Sequence, residues 1–162
     1  MLSVSVTTRS ARPGERDGVH YTFVTDDEFD RLVETGALLE WAEVVGHRSG
    51  TPARFVEHQR EGGKDVVLEI DVQGAAQVRE RVPDAVLIFL APPSLAELEH
   101  RLRGRGTETE DRIRLRLATA ASELGQATWF DHVVVNDDVE RASAQVAAII
   151  EASRSDPEAL RE

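Results

Sequence analysis

The chain has 162 residues, thirty acidic against nineteen basic side chains for a formal net charge of −11, 41 % hydrophobic content and no cysteine. That length fits one domain with a proper core, the negative field repels polyanions and argues against nucleic acid as a partner, and the missing cysteines exclude disulfides, thiolate metal sites and cysteine nucleophiles. No apolar run approaches the roughly 18 residues of a membrane span, and the first residues are too hydroxyl-rich for a secretory signal, so a soluble cytosolic protein is expected.

In chain order, Ser3 to Val6 and Tyr21 to Val24 read as strands, and "TDDEFDRLVETG" as a helix capped by Thr25 and stopped at Gly36. "ALLEWAEVV" is another strand, "GHRSGTP" a loop, and a short helix is expected from about Pro52 to Glu61 before Gly62-Gly63. Three continuous apolar runs follow, "VVLEI" before Asp71, "AVLIFLA" from Ala85 and "VVV" before Asn136, patterned like parallel strands buried on both faces. Helices are predicted between and after them: Val72 to Arg81, ending at Pro83; "SLAE" to about Arg103, opened by Ser94 and Glu97 at capping-box spacing; Thr109 to Ala127; and Val139 to about Ser153. In the last helix Val139, Ala142, Val146, Ile149 and Ile150 form a core-facing stripe. The alternation indicates an α/β protein with a parallel core sheet flanked by helices and a strand-rich insertion ahead of it.

Three constellations carry candidate chemistry. In "TTRSARPGE", Arg9 and Arg12 flank hydroxyls beside a Pro13-Gly14 turn, a set that suits a phosphate dianion or, blandly, a solvated basic loop. In "GRGTETEDRIRLR" and the residues before it, Arg101, Arg103, Arg105, Arg112, Arg114 and Arg116 surround a glycine-flanked turn, as in a lid over transferring phosphates. Pairing with Glu108, Glu110 and Asp111 is the alternative. Glu40 in "LLEW" and Asp71 after "VVLEI" are acids in apolar surroundings. Facing a guanine they would accept from N1–H and the 2-amino group, which adenine lacks, whereas Asp71 could equally be a plain helix cap. The five histidines fall in no metal-ligand spacing, so no metal site is expected in the protein, and no G-x-S-x-G elbow or G-x-x-x-x-G-K-[ST] loop is present.

Taken in order, "SVSVTTRSARPGERDGVHY", "LLEWAEVVGHRSGT", "LEIDVQGA", "FLAPPS", "RLRGRGTET" and "VVVNDD" resemble the guanylate kinases from Ser3 to about Ala152. The resemblance implies a P-loop kinase-like α/β fold with a GMP-binding insertion and a mobile lid, and transfer of the γ-phosphoryl of ATP to GMP with Mg2+. It implies one domain over 1–162, with a GMP region at about 7–65, core at 66–100 and 117–153, and a lid at 101–116. By resemblance Ser5, Arg9, Arg12 and Tyr21 surround GMP, Glu40, Thr51 and Asp71 read the base, Arg101, Arg105 and Arg116 face the ATP phosphates, and Asn136 lies beside the adenine. Ser49 stands where the family commonly has a tyrosine on the GMP phosphate, with Arg48 as a neighbouring substitute donor, and Glu69 stands where an aspartate is common. The family's N-terminal strand, phosphate-binding loop and first helix are not matched, which leaves the activity of this stretch in question, raises the expectation of exposed strand edges and admits a non-catalytic, guanylate-kinase-like binding module as the alternative.

Overall fold

The computed structural model describes residues 1–104 and 109–155 and divides the chain into two compact units, Met1–Pro83 and Asp84–Glu162. The first unit carries β1 (Val6–Thr7), β2 (Thr22–Phe23), α1 (Asp26–Glu34), β3 (Leu38–Val44), β4 (His47–Pro52), α2 (Ala53–Glu61) and α3 (Val72–Arg81). Its sheet has the order β2-β1-β4-β3, parallel between β1 and β2 and antiparallel elsewhere. Helix α1 starts where the sequence says it should. Thr25 accepts from the Glu28 amide and Glu28 reaches back to the Thr25 amide, a reciprocal capping box that satisfies two donors a helix start otherwise leaves open. The helix buries Phe29 completely against Val6 and Leu38, with the Trp41 ring edge-on at 6.2 Å.

The expected "GHRSGTP" loop is instead strand β4. Val45 and Gly46 both take positive φ, 54° and 77°, so they form the two-residue turn whose twist suits a hairpin, and His47 pairs with Val44 directly after it. The polar, glycine-containing composition of β4 hides a strand that is held by its pairing on both sides. Valine is a strained occupant of the left-handed region, so Val45→Asn is expected to stabilise the protein by about 1 kcal/mol, read as a raised thermal midpoint with nucleotide binding unaltered.

Two strand expectations shrink. "VVLEI" forms no strand: Val67 makes a single parallel bridge to Leu2, because beyond Ser3 the N-terminal segment leaves to join β4 and β2 and gives residues 68–70 nothing to pair with. The strand expected at Ser3 to Val6 is found shifted to Val6–Thr7, and Tyr21 to Val24 contracts to β2.

The second unit carries β5 (Ile88–Ala91), α4 (Leu95–Gly104), α5 (Glu110–Leu124), one 3-10 turn at Ala127–Trp129, β6 (His132–Val135) and α6 (Val139–Ser155). Strands β5 and β6 pair in parallel from Ile88↔His132 to Ala91↔Val135, as strands joined by a helical crossover do. Phe89, Ala91 and Val134 are buried and Phe130 meets Phe89 edge-on at 5.1 Å. The sequence expectation of strands buried on both faces is not met, since Leu90, Val133 and Val135 are exposed and, among the described residues, β5 and β6 pair only with each other. The α6 stripe is also narrower than expected: Ala142 is buried, but Val139 at the first turn is 71 % exposed. Helix α4 opens as its sequence indicates, with the Glu97 amide donating to Ser94 Oγ. Among the described residues no helix is long and apolar enough to cross a membrane. The architecture is α/β.

Candidate active site

Pro13 and Gly14, the latter at φ 89°, turn the chain so that the Glu15 amide donates to the Arg12 carbonyl. The turn brings Glu15 back onto Arg9. The two guanidinium nitrogens of Arg9 donate to the two Glu15 oxygens at 2.8 and 2.9 Å, and the Arg12 amide donates to the same carboxylate at 2.7 Å. These contacts, Arg9 foremost, hold the Glu15 carboxyl down at about 2. The Arg9 guanidinium also lies 5.1 Å from the centre of the Tyr21 ring and 5.8 Å from that of Phe23, so an aromatic wall fixes the plane of the fork. Behind it, fully buried Thr7 accepts from the Arg9 amide and from Ser49 Oγ and donates to the Arg48 carbonyl. Arg12 is exposed, and Ser5 fixes β2 by accepting from the Thr22 amide.

Glu40 sits on the buried face of β3 with Leu38 and Ala42, only 3 % exposed. A shift of register between Leu38 and Glu40 aligns Glu40 with Thr51 of β4, whose hydroxyl donates to Glu40 Oε1 at 2.6 Å. Burial pushes the Glu40 carboxyl above its ordinary value against the pull of the Thr51 bond, and nearby Asp71 adds to the upward shift. Asp71 itself caps α3, accepting from the Gly74 amide at 2.8 Å, so the plain capping reading holds for Oδ1. Glu69 is exposed on the segment leading to it. Gln77 and Arg81, one turn apart on α3, clamp the strand: Gln77 accepts from the Trp41 amide and donates to its carbonyl, and Arg81 donates to the carbonyls of Leu38 and Leu39. The strand backbone on both sides of Glu40 is thereby fixed.

A buried carboxylate met by Thr51 and an arginine fork backed by aromatics are thus held by one small sheet. The guanylate kinase family model matches residues 1–153 of the chain. The chain belongs to the guanylate kinase family. Its similarity to a guanylate kinase of Streptomyces kasugaensis is 56 % identity, covering 92 % of this chain and 73 % of the relative. With that of Streptomyces coelicolor it is 54 %, covering 91 % and 75 %. The crystal structure of guanylate kinase from Anaplasma phagocytophilum superposes with a TM-score of 0.80 at 38 % identity, covering 94 % of this chain and 75 % of that one.

Within this guanylate kinase family fold the second unit holds the remaining candidates. Arg101 on α4 donates through Nε to Glu97 and through a terminal nitrogen to the carbonyl of Asn136, which ties the end of β6 to α4. Arg116 lies half-buried on α5, one turn beyond exposed Arg112. Arg105 lies outside the described residues. The pairing alternative holds for two of the others, since Arg103 is bonded to Glu99 and Glu110 and Arg114 lies 3.6 Å from Asp111. Arg48, the substitute donor expected beside Ser49, has its fork on Asp26 and Asp30 of α1 and its guanidinium 4.8 Å over the Phe29 ring. Reading the sequence missed Glu15, Thr7, Gln77 and Arg81. The four-residue spacing of Gln77 and Arg81 was a visible signal for a shared helical face, whereas nothing local marks Glu15 as the partner of Arg9.

Proposed function

We propose that the chain is the acceptor-binding and lid-bearing portion of a guanylate kinase activity, in which the γ-phosphoryl of ATP passes to a phosphate oxygen of GMP: one P–O bond forms there, the bond to the β-phosphate breaks, and ADP and GDP result. The observation that carries the reading is Glu40, a nearly buried carboxylate that is met by Thr51, through its hydroxyl on Oε1 and through its backbone. A buried carboxylate is expensive unless donors meet it. The N1–H and 2-amino group of guanine are such donors, and adenine presents neither.

In this reading Glu40, Thr51 and Asp71 select the base, and Ser5 and Glu69 belong to the wider surroundings of GMP. Arg9, Arg12 and Tyr21, with Ser49 nearby, take the GMP phosphate, for which Glu15 stands as an internal carboxylate on the same fork. About residues 7–65 form the acceptor region, 66–100 and 117–153 the core and 101–116 the lid. Arg101, Arg105 and Arg116 would stabilise charge on the ATP phosphates, and Asn136 would lie by the adenine. No three acidic or histidine side chains converge as a metal cage among the described residues. Mg2+ is therefore proposed to arrive on the ATP phosphate oxygens, where it neutralises their charge. A cytosolic setting accords with free nucleotides as substrates.

The 162 residues contain no G-x-x-x-x-G-K-[ST] sequence, the element that cradles β- and γ-phosphates. This stretch alone is accordingly proposed to bind GMP without turning it over. Titration calorimetry with GMP and AMP tests the reading: GMP should bind, and bind more tightly than AMP. Equal affinities for the two would sink the roles given to Glu40 and Asp71, and a chain that ignores both would be the binding module instead.

A further inference from the structure

Gly74 occupies the third position of α3 with an ordinary helical backbone, so conformational freedom does not explain a glycine there. Alanine is the better helix former at such a place. What explains it is space. A methyl group on Gly74 would collide with Glu40 Oε2 and lie 3.1 Å from Glu40 Cδ and 3.3 Å from Ile70 Cβ. The first two contacts are with the carboxylate and the third, milder one is with the residue just before the cap. Glu40 Oε1 is meanwhile held by Thr51, and the strand backbone on both sides of Glu40 is pinned by Gln77 and Arg81. The carboxylate cannot escape a new methyl by shifting its strand, so it must swing off Thr51 or force α3 away.

We propose that Gly74 is a specificity-positioning residue: the missing side chain in the first turn of α3 is the space that keeps the Glu40 carboxylate in place for the guanine edge. The proposal rests on the guanine reading of Glu40 given above. Glu40 touches the base in that reading, and Gly74 acts only through Glu40. Two consequences separate this from a merely structural glycine. The effect of Gly74→Ala falls on GMP and spares AMP, because the arginine fork that would hold the phosphate of both lies in the loop after β1 and is held by Glu15, not by Glu40 or α3. The effect is also relieved by shortening the acid, since Glu40→Asp withdraws the carboxylate from the methyl.

The test compares the full 162-residue chain with Gly74→Ala, Glu40→Asp and the double variant, by calorimetric titration with GMP and with AMP alongside thermal melts. Gly74→Ala should lose GMP affinity on the order of tenfold to a hundredfold with AMP affinity unchanged, and the double variant should bind GMP more tightly than Gly74→Ala alone. Unchanged GMP affinity in Gly74→Ala, parallel loss for both nucleotides, or a double variant no tighter than the single one would overturn the proposal. If Gly74→Ala does not fold, the double variant must fold, and its failure to do so overturns the proposal as well. Should the parent chain ignore GMP, the guanine reading fails on its own, and carbon-13 titration of the Glu40 carboxyl decides the positioning claim. Displaced relative to Thr51, Asp71 and Arg81, which all act on its charge, the carboxyl should titrate at a different midpoint in Gly74→Ala than in the parent; an unmoved midpoint overturns the claim.

Discussion

Glu40→Gln is expected to weaken GMP binding by about a hundredfold while leaving AMP binding where it was, so that the preference between the two collapses. The substitution keeps the shape of the side chain and its place opposite Thr51, but it replaces an acceptor-only carboxylate with an amide that must point either its own donors or a weaker acceptor at the donors of guanine. A site built around specific hydrogen bonds loses two or more powers of ten when a partner is mismatched, because buried polar groups are left unpaired. Calorimetry with both nucleotides reads the effect. The same variant should be more stable than the parent at neutral pH. Burial raises the Glu40 carboxyl in the folded chain, so between the ordinary 4.5 and the raised value the fold binds a proton that the unfolded chain has released. Stability from this group is therefore present at low pH and lost as pH rises through the folded value. Thermal melts from pH 4 to pH 8 should show that decline in the parent and a flatter profile in Glu40→Gln. A parent profile with no such decline would mean that the carboxylate is solvated rather than buried.

Arg9→Ala should carry the opposite signature, a loss of about a hundredfold for GMP and AMP alike, near 3 kcal/mol. The guanidinium is a two-pronged donor held in plane by Tyr21 and Phe23, and the Arg9 backbone amide is anchored on Thr7. It is the element of the site that addresses a phosphate, and the two nucleotides share the phosphate. A second effect follows from Glu15, which is held by the Arg9 fork and by the Arg12 amide. With the fork removed, its carboxyl should return from about 2 toward the ordinary range, since the Arg9 contact is the main cause of the depression. An Arg9→Ala chain that discriminates between phosphorylated and unphosphorylated guanosine as well as the parent does would remove Arg9 from the phosphate role.

The parts of this fold that were legible in the sequence are those whose signals are local. Thr25 and Glu28 announce α1 because a capping box is complete within four residues, and Pro13-Gly14 announces its turn because both residues carry the required φ. Strand β4 was not legible, since His-Arg-Ser-Gly-Thr-Pro is a strand only by virtue of β1 and β3 on either side. "VVLEI" erred in the other direction: its composition fits a strand, but pairing ends after Val67. In the candidate site, acid in apolar surroundings identified Glu40 correctly as a buried carboxylate. Its partnership with Thr51 depends on an irregular register that no spacing rule gives, and its need for Gly74 depends on the packing of α3 against β3. Arg48 illustrates the same limit, for proximity in sequence to Ser49 suggested a phosphate donor, and its pairing with Asp26 and Asp30 of α1 is visible only in the fold.

The division of the chain at Pro83 and Asp84 leaves every side chain proposed for the acceptor nucleotide, from Ser5 to Asp71, on one side of a single peptide position, and every arginine proposed for the donor on the other. Heredity can act on such an arrangement piecewise. One crossover in a gene at that codon would replace the choice of acceptor base wholesale while passing on the donor-side arginines unaltered, and Gly74 would travel with the Glu40 that needs it.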